Sequence, residues 1–381
     1  MRNVRGWRWI VLIALLALPA CRAQGDEQSA AIKVAVVAPF SGEFEALGAP
    51  TRSGVVLAVE EWNLRGGVLG RPVQVELLDS KCDFETAQRV VTNAIDHDGI
   101  AFLIGAVCGD ASEGVAQVAE QRGVLQISPA SVDSGLTMDV DENVRPLVFR
   151  VPFADPVQGS VAAQFALETL GAEKAAVLYE EGSDYGRVLA DTFEAAFRAG
   201  DGAIVSRKTY DRDEQVFYDM LEAVRETQPD VLYMPGYYDT VDRIIVQART
   251  FGLSQTVLGS DGWDSPALNF QDLEGSYFTT HYFPREPRSE VQAWIQRYEA
   301  RYLVPPDALA TMAYDAANIL LSAMQMAGTT MPTEVAKTME TMTFDAVSGQ
   351  MTFDALHNPV KGVLILQIRG GQVIYVARLM P

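Results

Sequence analysis

The sequence predicts an α/β protein of two lobes, each a parallel sheet covered by helices. Three observations carry that expectation. Short, nearly continuous apolar runs suit strands buried on both faces of a parallel sheet, and such runs stand at 32–38, 100–104 and 124–127. Segments with helical spacing lie between runs, as with Val115, Val118 and Ala119. Two stretches, 146–156 between prolines and 277–284 ending at a proline, interrupt the alternation and read as crossings from one lobe to the other. A chain of 381 residues suits two domains. Its 48% hydrophobic and 21% charged content fits a packed globular protein and argues against disorder.

The N-terminus comes first. Arg2, Arg5 and Arg8 precede an apolar core over 9–18, and Leu18-Pro19-Ala20-Cys21 follows. This pattern predicts a lipoprotein signal over 1–21, cut before a lipidated Cys21. An ordinary cleaved leader with an incidental Cys21 is the alternative. Two or three acyl chains at one site would anchor the protein stably to a membrane. Residues 22–31 are small and polar, a tether with a root-mean-square span of roughly 15–20 Å.

Strand 32–38 opens the first lobe. Gly48-Ala49-Pro50 starts a helix with Pro50 near its first turn, and Val55, Val59 and Trp62 mark its inward face. Gly66-Gly67, within 63–70, stops it. Strand 73–78, loop 79–83, helix 87–95, strand 100–104, a helix from Cys108-Gly109-Asp110, and strand 124–127 follow. This order implies a parallel sheet with helices on both sides. Beyond the first crossing, helices 157–170, 185–199, 216–227 and 241–251 alternate with strands 175–179, 203–210, 231–234 and 256–259. After the crossing back come helices 290–302, 307–327 and 333–342. Leu309, Met312, Ala313, Ala316, Leu320 and Met324 form a stripe that reads as core. Strands 362–368 and 373–377 make a closing hairpin on the second lobe. The expected division is 32–150 plus 284–362 against 151–283 plus 363–381, with three crossings forming the hinge.

Several function classes are excluded. The formal net charge of −20 falls to −23 without the leader arginines, and nucleic-acid binding needs a basic face. No apolar span beyond the leader is long enough to cross a membrane. His97, His281 and His357 are scattered, and no HExxH, GxSxG, P-loop or GxGxxG motif occurs. No nucleophile, base and orienting group can be assembled, so no enzyme is expected. No cofactor or metal is expected either; Asp79 and Asp83 read as a solvated turn. With Cys21 lipidated, Cys82 and Cys108 remain. An exported pair predicts a disulfide worth about 3–4 kcal/mol by loop-closure entropy, with two buried thiols as the alternative.

Ligands of open parallel sheets bind beyond the carboxyl ends of the strands. Two first-lobe loops sit there, after Cys108 and at Ser128-Pro129-Ala130-Ser131-Val132. Backbone N–H groups at Gly109, Asp110 and Ala111 open a helix and suit a carboxylate. In the second lobe Asp261 follows strand 256–259 and suits an ammonium group. Tyr185 and Tyr237 also follow strands and can supply an apolar wall with a hydroxyl, or be plain loop structure.

These residues bring out a resemblance. Ile32-Lys33-Val34-Ala35-Val36-Val37, Ser41-Gly42, Asn63 with Gly66-Gly67 and Gly70, Asp79 with Cys82-Asp83, Gly99, Ile104-Gly105, Cys108, Gly123-Val124 and Ser128-Pro129-Ala130 resemble the leucine/isoleucine/valine-binding family of periplasmic binding proteins. That family has the type I fold, two Rossmann-like lobes on a three-crossing hinge, and serves ABC importers. The resemblance implies bonded cysteines at Cys82 and Cys108. It implies an amino acid held between the lobes. The ammonium would meet the Asp261 carboxylate and the Ala130 carbonyl. The carboxylate would meet the loops after Cys108 and Pro129, and Tyr185 and Tyr237 would close from the other lobe. The chain departs from the family pattern at three points: Gly109 replaces serine, Val132 replaces threonine, and Leu47 stands for an aromatic residue. Each lost hydrogen bond to a charged group is worth about 1.5–3 kcal/mol.

The expected function follows. A lipid-anchored binding protein at the periplasmic face of a bacterial membrane captures an amino acid, or a related amine or amide, and hands it to an ABC permease. A ligand-sensing regulatory lipoprotein on the same fold is the alternative. The expected ligand residues are Leu47, Gly109, Asp110, Ala130, Ser131, Val132, Tyr185, Tyr237 and Asp261.

Overall fold

The computed structural model describes Met1, residues 30–265 and residues 267–381. Nearly all of the expected leader, Cys21 as the expected lipidation site, and nearly all of the expected tether lie outside the described residues.

The first sheet holds β1 (Ile32–Ala38), β2 (Val73–Asp79), β3 (Phe102–Gly105), β4 (Leu125–Ser128) and β5 (Val148–Arg150), in the order β2-β1-β3-β4-β5. Every pairing in it is parallel. The period-2 pattern of β1 divides its side chains between two cores. Val34 and Val36 pack with the helices α1 (Gly48–Leu64) and α9 (Ala308–Ala327). Ala35 and Val37 pack with α2 (Phe84–Asp98) and α3 (Gly109–Arg122). A strand buried on both faces needs this unbroken apolar run.

The second sheet has seven strands. It combines β6 (Lys174–Glu180), β7 (Ala203–Tyr210), β8 (Val231–Tyr233), β9 (Thr256–Gly259), β10 (Tyr277–Thr280), β14 (Val363–Arg369) and β15 (Gln372–Leu379), ordered β15-β14-β10-β9-β8-β6-β7. On one face α4 (Asp155–Gln164) and α5 (Asp184–Ala199) pack against Ala175, Val177 and Val231. On the other, α6 (Tyr218–Glu226) and α7 (Tyr238–Thr250) pack against Ala176, Leu178 and Leu232. The closing hairpin joins this sheet as expected, through antiparallel pairing of β14 with β10. The helices α8 (Ser289–Tyr302) and α10 (Pro332–Thr341) follow the second crossing and the long α9.

Several expectations need correction. The stretch 277–284 is a strand of the second sheet through Thr280, because Phe278 is buried in that lobe's core and Tyr277 packs on its other side. The crossing starts only at His281. A small antiparallel sheet, β11 (Phe344–Ala346), β12 (Gly349–Phe353) and β13 (Pro359–Lys361), also follows α10. Helix α4 begins two residues earlier than its pattern predicts, with Pro156 in its first turn.

Cys82 and Cys108 are bonded, with Cα atoms 5.3 Å apart. Where the chain passes between the sheets, buried Glu286 accepts from Arg378 at 2.9 and 3.2 Å and from Arg288 at 2.8 Å. Arg378 also donates to the carbonyls of Ser348 and Gly362.

Candidate functional site

The second-lobe wall is built around Asp261. Gly259 ends β9, and a Cβ there would lie 2.2 Å from the Trp263 ring. Only glycine lets this buried indole fold back on the strand, and the short turn so anchored carries Asp261. Oδ1 of Asp261 accepts from the Tyr185 hydroxyl at 2.5 Å and from Gln158 Nε2 at 3.0 Å. Its backbone N–H donates to Gln158 Oε1 at 2.7 Å. Oδ2 lies 3.3 Å from His281 Nε2, and 20% of the side chain remains exposed. Burial raises the Asp261 carboxyl, but the adjacent His281 ring and hydrogen bonds from Tyr185 and Gln158 outweigh it and hold the group below the ordinary carboxylate range. Burial, then the negative Asp261, pushes the Tyr185 hydroxyl well upward, so it stays a donor. Burial also lowers His281, against the pull of Asp261, so the imidazole is neutral near pH 7. Its ring stacks on Phe153 with centroids 3.7 Å apart.

Tyr185 and Tyr237 stack at 5.3 Å and 26°, and Tyr237 is 43% exposed. They form one aromatic face beside Asp261. The structure thus brings Asp261, Tyr185 and Tyr237 together.

The first-lobe wall is sparser. Gly109 opens α3 after Cys108, and both Gly109 and Asp110 are exposed. A Cβ at Gly109 would meet nothing within 4 Å, so no packing constraint explains the missing serine. Ala130 and Val132 are half-buried and Ser131 is buried. The N–H groups of Ala130 and Ser131 turn inward to Ser128 Oγ, at 3.4 and 3.1 Å. Leu47 ends a short 3-10 turn just before α1 and is exposed.

Sequence reasoning missed Gln158, His281 and Asp155. Asp155 is the first residue of α4 and 7% exposed. Burial, then the nearby Asp261 charge, pushes its carboxyl up to about 8, against the opposing pull of Arg150. The aspartate after a proline-bounded crossing, at the head of a helix, was the available signal. Among the described residues no cluster of His, Cys, Asp and Glu could hold a metal ion, and no helix is long and apolar enough to cross a membrane.

Two doubly covered sheets, one parallel and one mostly parallel, with Asp261 and its partners just beyond the carboxyl end of β9, suit a protein that binds a small molecule at its strand ends. Residues 31–372 match the model of the periplasmic binding protein family, and the chain belongs to that family. A leucine binding protein from Thermotoga maritima is 31% identical and superposes with a TM-score of 0.74, covering 92% of this chain and 99% of its own. A branched-chain amino acid transporter substrate binding protein from Streptococcus pneumoniae, in complex with isoleucine, is 27% identical with a TM-score of 0.74, covering 92% and 100%. The Leu/Ile/Val-binding protein of Escherichia coli K12 is 27% identical over 331 residues, 85% of this chain and 86% of that protein. The chain is a solute-binding protein of the transport class and not an enzyme.

Proposed function

We propose that this protein captures an amino acid, or a related small polar amine or amide, between its two lobes and delivers it to an ABC permease. One observation carries the reading. Asp261 is an ionised carboxylate with its internal donors in place, and a fifth of its surface is still open beside the Tyr185–Tyr237 face. A partly desolvated carboxylate of this kind is complementary to an ammonium or amide N–H group. In this reading the lobes are 32–150 plus 284–362 and 151–283 plus 363–381. Rotation about the three crossings closes Asp261, Tyr185 and Tyr237 onto the loops at Gly109, Asp110 and Ala130 to Val132, with Leu47 at the rim. Cys21 carries lipid and tethers the protein to the periplasmic face of a membrane. The branched-chain ligands of the relatives support the class of solute.

Isothermal titration of the leaderless protein against a panel of amino acids, amines and amides tests this. Saturable binding by at least one member is expected, and silence across the panel would overturn the ligand assignment. Retention of a Cys21→Ser variant in the membrane fraction would overturn the anchor.

A further inference from the structure

A second buried carboxylate, Asp155, has one oxygen without a partner among the described residues. Asp155 and Gln158 lie one turn apart on α4, hence on one helical face. Gln158 grips both the carboxylate and the backbone of Asp261. At the other side, the Asp155 N–H faces the Val132 carbonyl at 3.5 Å. Asp155 therefore stands between the first-lobe loop and Asp261. Its Oδ1 is buried and has no hydrogen-bond partner among the described residues. Buried polar groups are normally satisfied, and an orphan calls for an explanation.

We propose, building on the cleft reading above, that Asp155 is a second ligand-holding carboxylate. The site then takes a small amine with another N–H-bearing group and no carboxylate of its own, in preference to a zwitterionic amino acid.

The opposite wall agrees. A ligand carboxylate needs donors, and beyond the backbone N–H groups of Gly109, Asp110 and Ala111 at the head of α3 the first lobe offers few. Gly109 carries no hydroxyl, Val132 is apolar, and the Ala130 and Ser131 N–H groups serve Ser128. Asp110 adds a negative charge beside the same loop. Like charges set opposite each other across an interface weaken binding strongly.

Burial first, and then the charges around Asp155, set the proton balance. Asp261 on the second lobe and Asp133 on the first repel it, and Arg150 on β5 attracts it. The hydroxyls of Tyr233 and Tyr237 feel both carboxylates, and His281 beside Asp261 is neutral. A carboxyl pushed up to about 8 is mostly protonated at pH 7. An arriving cation takes that proton's place, and the proton leaves to water.

The test titrates leaderless protein at pH 7 with L-leucine, L-leucinamide and 1,4-diaminobutane, each in two buffers of different ionisation enthalpy. L-leucinamide keeps the ammonium and side chain of leucine and replaces only its carboxylate. It should bind roughly tenfold or more tighter than L-leucine, and release close to one proton from a group poised at about 8. Asp155→Asn should lose both the preference and the release. Leucine binding as tightly as leucinamide, or leucinamide binding without proton release by the unaltered protein, would overturn the proposal. So would failure of both cations to bind. Proton release needs no variant, so misfolding of Asp155→Asn leaves the test intact. Asp261→Asn separates the two levels: unchanged binding of every probe by that variant would sink the cleft reading itself.

Discussion

In the proposed cleft the two walls are built in opposite ways. The second-lobe wall is crowded: Asp261 is gripped by Gln158, Tyr185 and His281, side chains from α4, α5 and the second crossing. The first-lobe wall is bare: Gly109 faces open space, and the N–H groups of Ala130 and Ser131 are committed to Ser128. A crowded, pre-oriented group loses little freedom on binding, so it carries affinity for its part of the ligand. A bare wall with spare room contributes little affinity and can admit different ligand ends. The contrast assigns recognition of the positive end to the second lobe and leaves the other end weakly specified.

Asp261→Ala attacks the crowded wall and should have the largest effect. Removing one partner of a buried, hydrogen-bonded charge pair costs about 2–5 kcal/mol. Titration should show a loss of roughly a hundredfold or more for any amine ligand, and a loss under threefold would erase the contrast between the walls. The next effect is on stability. The folded chain keeps the Asp155 proton up to about 8, against an ordinary value of 3.8. Between those values the folded state binds more protons than the unfolded one, so this group's contribution falls as pH rises. Asp155→Asn removes that titration. Its melting temperature should gain on the unaltered protein between about pH 4 and pH 8, on the order of a few degrees; a gap that stays constant with pH would contradict the burial argument. The smallest effect comes from filling the bare wall. Gly109→Ser has room for its side chain and should raise affinity for L-leucine about tenfold, the value of one charge-assisted hydrogen bond. Unchanged leucine affinity would mean that Gly109 does not face the ligand.

Much of the architecture is legible from residues alone. Strands 32–38, 203–210 and 256–259 coincide with β1, β7 and β9. For β1 and β9 this is because an apolar run bounded by turn residues has few other uses. The sheet of β11, β12 and β13 is not legible. Its strands are three to five residues long, with Asp345, Gln350 and Thr352 among them, and only mutual pairing defines them. The site divides similarly. Asp261, Tyr185 and Tyr237 follow strands, and the topology alone puts them at one sheet edge. Gln158 lies 103 residues from the aspartate it holds, and His281 reaches Asp261 from a segment whose pattern reads as a plain crossing. Such meetings are set by packing between distant helices and loops, which local periodicity does not encode.

Glu286 and its two arginines sit where the polypeptide passes from one sheet to the other, and only 1% of the glutamate is exposed. Dissolved salt weakens outlying pairs such as Arg301 with Glu60, both about half-exposed, more than pairs formed on the buried carboxylate of Glu286. The pivot should therefore keep its stiffness from dilute to concentrated media, while attraction between the open acidic cleft and a cation fades as ions accumulate.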